Sequence, residues 1–280
     1  MGIAFGLCSA ILIGRSVAQP IDQLRSAAHA VTRGQLDVQV PLRRADEFGA
    51  LISEFNGMVT GLREKERLRQ SFGLHVGEKA AEQILARDPG LGGTEQVITV
   101  MFVDIRSFTA RSAHLPPDKA VGLLNEFLHA MVEVVEGEHG GMINKFLGDG
   151  FMALFGIGSD TRNHADKAVA AACSIQRTME RLNAQRAARG EDSIQIGIGI
   201  NTGPAIVGSI GSPERMEFTV IGNTVNVASR IEALNKTLST SLLLSKDTRD
   251  ALQRSVELRA LPPQAVKGVD QPVEIFTVAA

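Results

Sequence analysis

Apolar positions in the first quarter of the chain recur at a spacing of three and four. Ile21, Leu24, Ala28 and Val31 follow it just after Pro20, and Phe48, Leu51, Phe55, Met58 and Leu62 follow it again without a break. This spacing predicts two helices, each with a narrow apolar seam suited to coiled-coil contact. Pro20 fits the first helical turn, where its missing N–H costs nothing. Gly34 ends the first helix, and Gln35 to Arg44 form an extended connector. Asp46 and Glu47 set negative charge at the positive end of the second helix dipole. From Leu62 to about Arg87 the pattern remains helical and charged, but its heptad falters. The breaker cluster from Asp88 to Gly93 then marks a domain boundary.

Beyond that cluster the periods alternate between strand and helix. Val97 to Val103 reads as a short apolar strand. Pro117 to about Glu138 reads as a helix, with Val121, Leu124, Phe127, Leu128, Met131 and Val135 on one face. Met142 to Leu147 and Phe151 to Phe155 are strands joined through Gly148, Asp149 and Gly150. His164 to Ala188 is helical again, and Ser193 to Asn201 alternates with Ile194, Ile196, Ile198 and Ile200 on one face. The order β-α-β-β-α-β predicts an α+β domain of the ferredoxin-like kind, an antiparallel sheet with flanking helices.

Composition adds limits. Across 280 residues, 44% hydrophobic, 21% charged and 10 Pro describe a globular chain and exclude disorder. A net charge of -2 provides no overall basic field, which argues against nucleic acid as a partner. Cys8 and Cys173 are far apart in sequence and build neither a disulfide framework nor a zinc site, so the bulk of the chain suits a reducing compartment. Residues 1–14 carry no charge and read as apolar or small. They fall short of the roughly 20 residues of a complete span, and no basic region precedes them as in a signal peptide. The expectation is the end of a transmembrane helix; the start of a buried helix is the alternative. The chain then divides into a partial membrane helix over 1–14, a helical module over 15–65, a linker helix over 66–94 and an α+β domain over 95–280.

The 15–65 module resembles a HAMP domain, a signal-relay module. The residues that carry the resemblance are Pro20-Ile21 with Leu24, Gly34 with Leu36, Asp46-Glu47-Phe48-Gly49 with Leu51, and Phe55-Asn56 with Met58, in that order. A plain helical hairpin is the alternative.

In the 95–280 domain several chemistries are absent. There is no phosphate-binding P-loop, no H-E-x-x-H, no G-x-S-x-G and no C-x-x-C. Gly197, Gly199 and Gly203 lie within a strand, the wrong context for a dinucleotide fingerprint; they are expected to leave one strand face bare for a partner chain or ligand. Asp104 ends the first strand and Asp149 sits at the tip of the hairpin. Both can meet at one edge of the sheet and hold hard divalent cations. Taken singly, Asp104 also reads as a helix N-cap, and Asp149-Gly150 as a hairpin turn.

Three segments resemble the class III nucleotidyl cyclase catalytic domain: Val103 to Thr109, Asn144 to Gly150, and Phe218 to Arg230. The resemblance implies conversion of a purine nucleoside triphosphate to its 3′,5′-cyclic monophosphate and pyrophosphate, at sites shared across a head-to-tail homodimer. It implies two divalent ions, Mg²⁺ or Mn²⁺, held by Asp104, Asp149 and the backbone of Ile105, with backbone as far as Phe108 near the phosphates. These ions would lower the pKa of the ribose 3′-hydroxyl and neutralise the triphosphate. It makes Asn226 the ribose-orienting residue and Arg230 the cation on the α-phosphate in the transition state; their spacing of four puts them on one helix face, which by itself reads equally as a solvated face. Lys267 matches a lysine on the terminal phosphates, and Arg215 stands as a further cation there.

Lys145 and Thr219 match the base-reading positions. Lysine at the first goes with adenine in this family, as it donates to the N1 acceptor, whereas guanine presents donors. Thr219 departs from the aspartate of many adenylyl cyclases, and its hydroxyl both donates and accepts. The resulting expectation is a membrane-tethered adenylate cyclase acting on ATP and regulated through the HAMP module, with both modules cytoplasmic. The alternatives are a guanylate cyclase and a catalytically silent nucleotide-sensing dimerisation module.

Overall fold

The structure is a computed structural model, and it describes residues 2–3, 14–41, 44–86, 91–158, 161–212, 214–265 and 271–279. Most of the apolar 1–14 stretch and Lys267 lie outside the described residues. Among the described residues, no helix is long and apolar enough to cross a membrane. The chain forms two compact units, Met1–His75 and Val76–Ala280.

The first unit contains a short π-helical turn, Gly14–Ala18, then α1, Gln19–Thr32, an extended connector, and the beginning of α2, Glu47–Val76. Leu24 and Ala27 of α1, Val38 and Val40 of the connector, and Ile52 and Phe55 of α2 make its apolar contact. Asn56 ties the connector down, accepting from the Val40 N–H (3.0 Å) and donating to the Val40 carbonyl (2.8 Å). Of the heptad positions, Leu24 and Phe55 join this contact, whereas Ile21, Leu51, Met58 and Leu62 are exposed within the single chain.

The second unit opens with α3, Glu78–Ala86, and then builds one eight-stranded sheet. Its core runs β1 (Gly92–Ile105), α4 (Phe108–Ser112), α5 (Pro117–Val132), a π-helical turn (Glu133–Glu138), β2 (Met142–Phe146), β3 (Gly150–Phe155), α6 (His164–Ala188) and β4 (Ile196–Ser212). Then follow β5 (Arg215–Ile221), α7 (Asn223–Leu238), β6 (Leu242–Ser245), α8 (Lys246–Ala251), β7 (Leu258–Gln264) and β8 (Val273–Val278). The order is β2-β3-β1-β4-β6-β8-β7, with β5 paired to β4. Among the described residues only the β4–β6 pairing is parallel. This is the β-α-β-β-α-β arrangement that the sequence predicts, with β1 central.

Alternation along β1 sorts its side chains between two cores. Met101, Val103 and Ile105 pack with Phe127 and Met131 of α5 and Ala168, Ala172 and Ile175 of α6. Ile98, Val100 and Phe102 face the other way, with Ala80 of α3, Phe218 and Val220 of β5, and Ala228 of α7. Asp104 shares this second face, by the strand period of two.

The glycines of β4 require a correction. It is the chain's own helix α7, rather than a partner or ligand, that lies on the bare face. A Cβ on Gly199 would collide with the Glu232 backbone nitrogen and come within 2.6 Å of the Ala228 carbonyl oxygen, and one on Gly203 would stand 2.7 Å from the Thr224 Oγ1. Asn235, buried at the far end, donates to the Ile198 carbonyl at 2.8 Å and fixes the register of helix on strand.

Candidate active site

Two carboxylates converge at the end of β1. Asp104 pairs with Gly150 across β3 and with Gly197 across β4, so both cross-strand neighbours lack a side chain. A Cβ on Gly150 would stand 2.7 Å from Asp104 Oδ1; the glycine leaves room for the carboxylate to lean over the β2–β3 turn. Gly148, in the left-handed region at φ 77°, shapes that turn. The Ile105 N–H donates to the Asp149 carbonyl at 3.2 Å and joins the turn to the end of β1. Burial, then the Asp149 charge and a hydrogen bond to its side chain, push the Asp104 carboxyl up from 3.8 to about 6.

A third acid, not singled out by the sequence, faces this pair. Glu232 of α7 fills the space that a side chain on Gly197 would need. Burial foremost, with the charges of Asp104 and Asp149, lifts its carboxyl from 4.5 to about 7, against the opposing pull of Arg106. Arg106 is itself anchored, donating to the carbonyls of Ile196 (3.2 Å) and Thr240. The available signal was local: Glu232 lies two residues after Arg230, and Arg106 two after Asp104.

Among the described residues, no three His, Cys, Asp or Glu side chains converge closely enough to form a cation site by themselves. Asp104 and Asp149, acceptor-only when ionised and forced together, fit a hard divalent cation that takes further oxygens from backbone and substrate.

Asn226 and Arg230 both lie on α7, the first exposed and the second half-buried. Glu232 is two residues from Arg230, hence about 200° around the helix. The face with Asn226 and Arg230 therefore points away from the Asp104 side of its own chain.

A second constellation joins β2 to β5, the two ends of the strand path β2-β3-β1-β4-β5. The sheet curls enough for their side chains to meet. Asn144 donates to the Phe218 carbonyl at 2.8 Å and accepts from Thr219 Oγ1 at 3.3 Å. Lys145 forms an ion pair with Glu217. Lys145 and Thr219 are thus brought to one edge. Arg215 is exposed at the start of β5, opposite Ser212. Phe108 opens α4 and packs against the core below the Asp104 loop, following Ser107 at φ 56°.

Comparisons with known proteins match this architecture. Residues 93–280 match the family described as the adenylate and guanylate cyclase catalytic domain, and residues 12–64 match the HAMP domain. An uncharacterised protein of Mycobacterium tuberculosis, Rv1318c, is 36% identical over 98% of the chain. The chain spans about half the length of the curated relatives it matches, 49% in that case. Among solved structures, the adenylyl cyclase CyaB from P. aeruginosa is 34% identical with a TM-score of 0.62, covering 68% of this chain and 97% of that one. The guanylyl cyclase Cya2 is 36% identical with a TM-score of 0.60, covering 68% and 94%. With Asp104 at the end of β1 and Asp149 in the β2–β3 turn facing each other, with α7 carrying Asn226 and Arg230, and with most of its length matched, the chain belongs to the class III adenylate and guanylate cyclase family, its catalytic domain preceded by a HAMP domain.

Proposed function

We propose that the protein is an adenylate cyclase, converting ATP to 3′,5′-cyclic AMP and pyrophosphate at sites shared between two copies of the chain. The observation that carries the reading is the Asp104–Asp149 pair, two carboxyls held against each other by the β1 end and the β2–β3 turn. They and the Ile105 carbonyl would hold Mg²⁺ or Mn²⁺. The chemistry these ions supply when bound is charge neutralisation on the triphosphate and easier deprotonation of the ribose 3′-hydroxyl.

The chain's own residues do the remaining work. The 3′-oxygen bonds to the α-phosphorus as the bond from that phosphorus to the bridging oxygen breaks; the hydroxyl proton leaves and pyrophosphate departs. Asn226 orients the ribose. Arg230 presents a fixed fork of donors to the α-phosphate, where charge develops in the transition state. Because these two face away from Glu232 and the Asp104 side, they act on the nucleotide held by the partner's aspartates. The domain is therefore a homodimer with two equivalent sites. Lys267 and Arg215 hold the terminal phosphates, and the backbone between Ile105 and Phe108 lies beside them.

Lys145 favours adenine, donating to its N1 acceptor, and Thr219 accepts from the exocyclic amino group. The HAMP module couples an upstream membrane-borne signal to dimer geometry, with the catalytic domain in the cytoplasm.

The test is product analysis from equimolar ATP and GTP with Mg²⁺ or Mn²⁺, with Asp104→Ala as control. Cyclic AMP from the parent, lost in the control, is the expected result. Cyclic GMP in its place would overturn the base assignment. Neither product, from a dimer that still binds nucleotide, would identify a silent sensing module.

A further inference from the structure

The base-reading edge contains a carboxylate that the functional reading leaves unused. In a regular strand, consecutive side chains point to opposite faces, yet Asn144 and Lys145 both reach β5. The cause is a bulge. Ile143 pairs with Ala153 and Lys145 with Met152, so two residues of β2 stand opposite one of β3 at this point. Such an insertion re-aims a side chain, and here it turns Lys145 towards Glu217 while Asn144 bonds to Phe218 and Thr219. Glu217 and Thr219, two apart on β5, share a face.

We infer that Glu217 is a positioning residue for base selection: its carboxylate holds the Lys145 ammonium at the β2–β5 edge so that the remaining donors address an adenine-type acceptor. The inference rests on the reading of Lys145 as the base-contacting residue. A lysine side chain has four flexible carbons and loses considerable rotamer freedom when fixed. Its ammonium has three donors; one bond to Glu217 fixes direction and leaves two for the ligand. The side chains are 31% and 63% exposed, so the pair adds little to folding and its consequence lies in ligand selection. Guanine, with donors at N1 and N2, meets the same oriented ammonium unfavourably.

The experiment compares the ATP-to-GTP ratio of kcat/KM in the parent, Glu217→Ala, Glu217→Gln, Lys145→Ala and the double variant Lys145→Ala/Glu217→Ala. The ratio is also measured as competition by ATP and GTP for a fluorescent ATP analogue, so that an inactive chain still reports. Glu217→Ala is expected to raise the KM for ATP three- to tenfold with kcat within twofold, and to use GTP no worse than the parent does. Glu217→Gln, which still accepts a hydrogen bond, should restore at least half of the lost ratio on a logarithmic scale. The double variant should match Lys145→Ala, because Glu217 acts through the lysine.

An unchanged ratio in Glu217→Ala, alongside a collapsed ratio in Lys145→Ala, overturns the role of Glu217 alone. A ratio that rises in Glu217→Ala also overturns it, and identifies the carboxylate as a direct acceptor for guanine. If Lys145→Ala leaves the ratio unchanged, the adenine reading itself falls and the role of Glu217 with it.

Discussion

Removing one of the two facing charges should stabilise the protein while abolishing its chemistry. Asp104→Asn keeps the shape of the side chain and deletes its ability to ionise. In the folded protein this carboxyl sits at about 6 instead of 3.8, a difference of about 3 kcal/mol at ~1.4 kcal/mol per tenfold. The group is only half-buried, and solvent screening reduces that to about 1.5 kcal/mol. An acid raised in the folded state binds more protons there than in the unfolded chain, so its contribution falls as pH rises. The destabilisation is complete above about 6 and disappears below 3.8. The assay is thermal unfolding of parent and Asp104→Asn in EDTA. At pH 7.5 the variant should melt about 3–6 °C higher, given ~2–4 °C per kcal/mol for a domain of this size. At pH 3.5 the gain should vanish. Added Mn²⁺ should raise the melting temperature of the parent more than that of the variant, as expected for a ligand that binds through the aspartates. A variant no more stable than the parent at pH 7.5 in EDTA, or equal stabilisation of both by Mn²⁺, would refute the argument.

Other perturbations test the rest of the arrangement. Mixing Asp104→Ala chains with Arg230→Ala chains should recover cyclase activity absent from either alone, since each heterodimer contains one intact site; no recovery would contradict a shared site. Gly199→Ala should cost at least about 3 kcal/mol in denaturant unfolding, because the new methyl meets backbone atoms of α7. Asn56→Ala should cost about 1–3 kcal/mol and speed hydrogen exchange at the Val40 amide, whose acceptor it removes.

The helix His164–Ala188 is legible to the residue, because its apolar period is unbroken. The neighbouring strands are only half legible. The predicted Val97 to Val103 covers the buried middle of β1, which begins at Ile98, and misses its polar start at Gly92 to Gln96, which pairs through backbone with Ala205 to Ser209. Likewise β4, whose alternation is read only as far as Asn201, continues to Ser212, because β1 pairs with its backbone as far as Ser209 and β5 from Ile206 onward. Local composition does not encode such long-range pairing. For the site, Asp104 and Asp149 stood out by their places at a strand end and a hairpin tip. Glu217 did not: its partner Lys145 is 72 residues away, and only the curl of the sheet and a one-residue bulge bring them together. Glu232 escaped notice for a related reason, since its neighbour is an absent side chain at Gly197.

The seating of α7 on the glycine strip limits how the proposed cyclase can be switched. With backbone against backbone at Gly199, and with Val227 and Ile231 packed against Leu243 and Ile275, the helix has little room to slide or roll, and Asn235 fastens its end to the strand. Asn226 and Arg230 are therefore borne like teeth on a rigid jaw. In the proposed homodimer, an upstream signal could not withdraw the arginine by bending its helix; it would have to change how two such jaws close, moving each sheet and its helix as one piece.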